Sequence, residues 1–186
     1  LPVDLKLGRQ EVVLDGHRLF GNTGWTQGAQ THDAVRLTHA HDNMSFNYAW
    51  IMATENGVAG DAAVGAATEL NDDIEVHVAH FNMKGILGGN LSVNYAYLQD
   101  PCGITTACTL GRKASDIHTI GFRQAGQLYG IDYRGEYYHQ FGDADRAGST
   151  VGLTGGAAVG TEVDRDAFMF GARIGKSFDN VTMKPS

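Results

Sequence analysis

Proline, cysteine and long apolar runs are all scarce in this chain of 186 residues. Three prolines against 25 glycines exclude a proline-rich linker and a collagen-like repeat, and suit many strands joined by turns. No apolar run approaches the ~20 residues that a membrane-spanning helix requires. A place in a membrane would therefore demand a closed barrel, because lipid offers no partners to open strand edges. The two cysteines, Cys102 and Cys108, lack the CxxC spacing of metal and redox sites. They either close a small loop through a disulfide, which suits an oxidising compartment, or remain loop thiols. The net charge of -7 gives the chain no general attraction to nucleic acid.

Catalytic signatures are absent too. There is no P-loop, GxSxG, HExxH or dinucleotide fingerprint, and no set of nucleophile, base and orienting group. Asp132 and Glu136, read as a carboxylate pair, stand four residues apart on one strand. That is about 13 Å, too far for glycoside cleavage. No catalytic residue, cofactor or metal site is predicted, and an enzyme is the least supported class. His39 and His41 share a strand face and could hold a metal, although surface histidines beside a turn are commoner. His77 and His80 fall on opposite faces. The Asp143-Ala-Asp145 stretch has calcium-loop spacing and is placed in a loop, with no further ligands at EF-hand positions. The N-terminus carries no initiator Met, basic region or apolar core of a signal, so either a leader was removed or the chain is an excerpt.

What the chain does have is period-two alternation. Over 128–141 the odd positions Tyr129, Ile131, Tyr133, Tyr137 and Phe141 oppose Asp132, Arg134, Glu136 and Gln140. Successive strand side chains point to opposite faces, so one face is aromatic and the other charged. The pattern recurs at 44–53, where Phe46, Tyr48, Trp50 and Met52 oppose Ser45, Asn47, Ala49 and Ile51, and at 91–98 and 166–176. Weaker versions lie at 3–7, 33–39, 74–83 and 117–123. Eight strands are predicted, with a ninth begun at Val181. Tight turns are expected at 41–43, 88–90, 125–127 and 179–180. Long links lie at 55–73, 100–115 and 142–164, and residues 64–70 could form a helical turn. Short turns at one end and long loops at the other are the layout of outer-membrane barrels. The apolar face is unusually aromatic, as interface girdles require, whereas a soluble barrel would turn that face inward.

If the apolar face meets lipid, the other lines a lumen. Its predicted bases are Lys6, Arg36, Arg123, Arg134, Arg165 and Arg173, and its predicted acids Asp4, Glu75, Asp132 and Glu136. A basic stripe in a low-dielectric wall focuses positive potential and concentrates anions, and arginine suits carboxylates through its planar fork. Alternatively, lumen arginines pair with carboxylates to stiffen the wall: Asp132, Arg134 and Glu136 could form such a ladder with Arg123 on the next strand.

One segment is more specific. Residues 7–22, Leu-Gly-Arg-Gln-Glu-Val-Val-Leu-Asp-Gly-His-Arg-Leu-Phe-Gly-Asn, followed by Trp25 and by the strand Thr31-His32-Asp33-Ala34-Val35-Arg36-Leu37, resemble the alginate export family of outer-membrane barrels. The tyrosine-rich strand from Gly130 to Tyr137 looks like one of theirs as well. The resemblance implies an all-β, antiparallel up-and-down transmembrane barrel of about eighteen strands, of which residues 1–186 would supply eight or nine, with both ends truncated. It implies an arginine-rich path for an acidic polysaccharide, and Arg9, Arg18 and Arg36 match its motif arginines. Strict alternation puts Arg9 on the lipid face, and a kink at Gly8 is expected to resolve this.

The sequence therefore predicts a bacterial outer-membrane channel for passive passage of anionic solutes, with an acidic polysaccharide such as alginate among its cargoes. Lys6, Arg9, Arg18, Arg36, Arg123, Asp132, Arg134, Glu136 and Arg173 are expected to line it. Its partners are the outer-membrane lipid and an anionic polysaccharide or small anionic solute. Two alternatives stay open: a general-diffusion or structural barrel without anion preference, and a soluble β-barrel holding a small hydrophobic ligand.

Overall fold

A computed structural model describes residues 2–17, 19–22, 30–54, 74–100, 114–146 and 161–176. Eight strands form one antiparallel sheet in sequence order: β1 (Val3–Gln10), β2 (His32–His41), β3 (Met44–Thr54), β4 (Ile74–Ile86), β5 (Gly89–Asp100), β6 (Ser115–Leu128), β7 (Ile131–Arg146) and β8 (Thr161–Gly175). Among the described residues β1 pairs only with β2 and β8 only with β7, so the sheet is an up-and-down wall that does not close on itself.

All eight predicted strands are present, and most run longer than the alternation suggested. The ladder continues into residues whose side chains are polar on both faces, where no hydrophobic period marks the strand. Asp143 and Asp145 are thus strand residues of β7, paired with Asp164 and Glu162 of β8, and not a loop. The expected ninth strand, the turn at 179–180, the helical turn at 64–70 and both cysteines lie outside the described residues.

Two turns are displaced from their predicted positions. The two-residue connections are Asp42–Asn43, Leu87–Gly88 and Tyr129–Gly130, and their first residues all have left-handed φ of 47° to 52°. Residues 125–127 belong to β6 instead. Gly126 pairs with Gly89 of β5, and a Cβ on Gly126 would come within 2.6 Å of the Gly89 Cα. These glycines permit close strand approach and do not bend the chain, which is why a glycine-based turn rule misplaces both connections.

Register assigns the faces. Ala34, Arg36 and Thr38 of β2 stand opposite Ile51, Ala49 and Asn47 of β3, which continue through Val76, Val78 and His80 of β4 to Ala96 and Asn94 of β5 and Thr119 and Gly121 of β6. The opposite face carries Leu5, Leu7, Leu37, Phe46, Tyr48, Trp50, Tyr95, Phe122, Tyr137, Phe168 and Phe170. Its apolar side chains are bare: Phe168 is 76% exposed, Phe170 71% and Ile174 80%.

Candidate functional site

Residues 11–22, between β1 and β2, fold onto the polar face. Their route is set by apolar contact first. Val12 and Leu14 are buried against Ala34, Ala49, Ile51 and Val78, with Phe20 and Val76 alongside. Beyond this patch the wall turns polar, and Asp15 enters it. The Asp15 carboxylate accepts hydrogen bonds from His80 Nε2 at 3.1 Å, Ser92 Oγ at 2.7 Å and Asn94 Nδ2 at 2.9 Å. Asn82 Nδ2 in turn donates to Ser92 Oγ at 3.0 Å. Burial alone would push the Asp15 carboxyl up, but the three donors and the nearby His80 outweigh it and hold the group down at about 2.

This segment decides which face can meet lipid. A stretch of irregular backbone leaves peptide groups that hydrocarbon cannot satisfy, so it belongs on the side that lines a cavity. The aromatic face, by contrast, is continuous and carries no covering segment among the described residues, and its polar atoms are paired near the long-link end. Trp50 Nε1 donates to Glu75 at 3.1 Å, the Tyr97 hydroxyl to Asp116 at 2.7 Å and His139 Nε2 to Asp166 at 2.7 Å. The rings of Tyr97, His118 and Phe141 stack in series, with centroids 4.7 and 5.3 Å apart. Amphipathic rings in such a row are what a membrane interface selects.

A family model described as alginate export matches residues 1–186, the whole chain. The chain belongs to the alginate export family. Membership supports an outer-membrane channel for polysaccharide export. No curated protein and no solved structure matches the chain.

Within this alginate-export wall most predicted lumen residues share the polar face. Lys6 stands directly opposite Arg36, Arg123 opposite Glu136, and Arg134 opposite Arg173. Arg36 Nη2 donates to Asn47 Oδ1 at 2.8 Å, and Arg165 Nη1 to Gln140 Oε1 at 2.9 Å. Arg134 and Arg173, with Asp132, line an open cleft of about 360 Å³ that also takes in Tyr133 and Lys176. Arg123 Nε is buried without a hydrogen-bond partner among the described residues. Arg18 lies outside the described residues.

Two placements correct the sequence reading. Gly8 does adopt a left-handed φ of 95°, yet the register runs on unbroken through Gly8 opposite Ala34 and Arg9 opposite Asp33. Arg9 therefore stays on the aromatic face, where its Nη2 meets Asp33 at 2.7 Å in an exposed pair. Glu75 also moves outward, drawn by the Trp50 indole, while Asp100 and the inserted Asp15 join the polar side. Asp15 is the residue that sequence reasoning missed. A signal existed in the apolar end of the polar face: Ala34, Ala49, Ile51, Val76 and Val78 on three neighbouring strands call for a cover. The motif at 7–22 was noticed only as a likeness. His39 and His41 form no metal set with a third ligand among the described residues; His39 Nδ1 instead lies 2.8 Å from the Pro2 carbonyl oxygen.

Proposed function

We propose that this protein is a bacterial outer-membrane channel whose lumen passes anionic solutes, an acidic polysaccharide such as alginate among them. The observation that carries the reading is the charge register of the polar face. Lys6 faces Arg36, and Arg134 faces Arg173. Like charges directly across a sheet repel, and an anion between them relieves that repulsion. Guanidinium pairs offer carboxylates two parallel hydrogen bonds each, which suits a uronate chain handed from one pair to the next. The aromatic face would meet lipid, with the outer-leaflet interface at the Trp50–Tyr97–His118 level.

The wall described would be part of a larger barrel of about eighteen strands. Both β1 and β8 present unpaired backbone edges, which lipid would not tolerate. An eight-stranded barrel encloses only enough room for side chains, whereas here a whole backbone segment lies against the inner wall.

A second reading has its own support. The bonds of Arg36 to Asn47 and Arg165 to Gln140 could serve to stiffen the wall of a general-diffusion barrel. Planar-bilayer recordings on the full-length protein under a salt gradient separate the two. The proposal predicts a reversal potential on the anion side and block by added polyuronate. Open pores with no ion preference and no block favour the general barrel and remove the polyanion reading.

A further inference from the structure

Residues 11–17 and 19–22 form a self-braced strap. Its base is clamped by Asn22 Nδ2, which donates to Glu11 Oε2 at 2.8 Å. Its two arms are tied by the Leu14 amide donating to the Phe20 carbonyl at 3.2 Å, and its tip by the His17 amide donating to the Leu14 carbonyl at 3.1 Å. Compact loops of this length with near ends, packed by their own side chains, are frequently functional. The strap does not sit at the rim. It leaves β1 at Gln10, which pairs with His32, yet its tip reaches the row of Thr38, Asn47, His80 and Asn94. That row lies six residues further along the register, about 20 Å down the strands, and on the fourth and fifth strands of the wall.

The attachment is firm. Asp15 is held by side chains 65, 77 and 79 residues away in sequence, and these partners are sealed from solvent: Ser92 is 0% exposed, Asn94 3% and His80 6%. Asp15 and His17 adopt left-handed φ of 47° and 60°. Burial of the Val12 and Leu14 side chains offsets the strain of Asp15 and His17. Non-glycine residues held in this region cluster at functional sites. At the tip, Gly16 comes against Arg123, about 4 Å from its Nε to a Cβ built on the glycine.

We propose that the strap is a fixed constriction of the channel, positioned by Asp15 at mid-wall beside Arg123. This rests on the channel reading above. A strap merely closing a surface gap would have no reason to descend to the centre of β4 and β5 or to bury a carboxylate there. Asp15 is a positioning residue: it holds backbone in the lumen and touches no cargo.

The test is single-channel conductance and the size limit for neutral polymers, measured on the full-length protein and its Asp15→Ala variant in planar bilayers. Freed from its three donors, the strap should lift. Conductance should then rise about two-fold, larger polymers should enter, and the open level should flicker. An inserted variant with unchanged conductance and size limit overturns the proposal. If Asp15→Ala does not assemble, Asp15→Asn keeps the shape but loses the charge that draws the donors, and a smaller rise is expected; an unchanged level there overturns the proposal equally. A wild-type protein that forms no channel overturns the channel reading and this inference together, whereas wild-type channels with unaltered variants overturn this inference alone.

Discussion

Arg134 of β7 and Arg173 of β8 stand directly opposite one another on the polar face, two register positions from Asp132 opposite Gly175. Two guanidinium groups in that arrangement cannot neutralise each other. The same holds where Lys6 meets Arg36. Total charge on this face is nearly balanced once Asp15 and Asp100 are included, and the anion argument therefore rests on placement and not on a sum.

Replacing Arg134 or Arg173 by Ala removes one charge of the pair. Between unit charges at contact in a water-filled lumen the interaction is about 1 kcal/mol, so anion over cation permeability should fall roughly five-fold per substitution. Arg9→Ala is the control: its pair with Asp33 is exposed on the outer face, and reversal potential should not move. Equal losses from all three variants would contradict the assignment of faces.

Met169 and Phe170 are neighbours on opposite faces of β8, midway between the Asp166 row and its Gly175 end. A charge placed on the lipid face at mid-membrane costs about 2–4 kcal/mol, so Phe170→Arg should lower the denaturant midpoint for unfolding from bilayers. Met169→Arg should leave it close to wild type. Comparable destabilisation by both would show that neither face meets lipid preferentially.

The Asp15 carboxyl is held below its ordinary value of 3.8, at about 2. A depressed acid stabilises its folded contacts fully above the unfolded value and loses that contribution as pH falls through the folded one. Strap attachment should therefore be constant from pH 8 to about 4 as far as Asp15 is concerned, and weaken progressively between about 4 and 2. Protease cleavage within residues 11–22, followed against pH with an acid-tolerant protease, should rise only in that window. A rise centred near neutral pH would mean that another group governs attachment.

The wall was legible because each strand carries its own period: Phe46, Tyr48 and Trp50 against Asn47 and Ala49 declare both the strand and its outer face without reference to any neighbour. Charges at strand ends were less readable. Glu75 was assigned inward on the assumption that charge faces the lumen, and Arg9 on its match to the family motif with a kink expected at Gly8, but each has a partner on the aromatic face near the long-link end, Trp50 and Asp33. The turn at Tyr129–Gly130 was missed because backbone conformation, and not glycine count, fixes a two-residue hairpin. The strap was missed for a deeper reason. Its anchor joins Asp15 to His80, Ser92 and Asn94, contacts that exist only once five strands are assembled, and no local period encodes them.

The central claim is that the aromatic face meets lipid and the polar face lines water. Spin labels placed one at a time from 167 to 174 on β8, in the full-length protein reconstituted in bilayers, test it most directly through collision with dissolved oxygen and with a water-soluble nickel chelate. A two-residue alternation is expected, with Phe168, Phe170, Ala172 and Ile174 favouring oxygen and Ala167, Met169, Gly171 and Arg173 favouring the chelate. An inverted pattern, or chelate access on both faces, would contradict it.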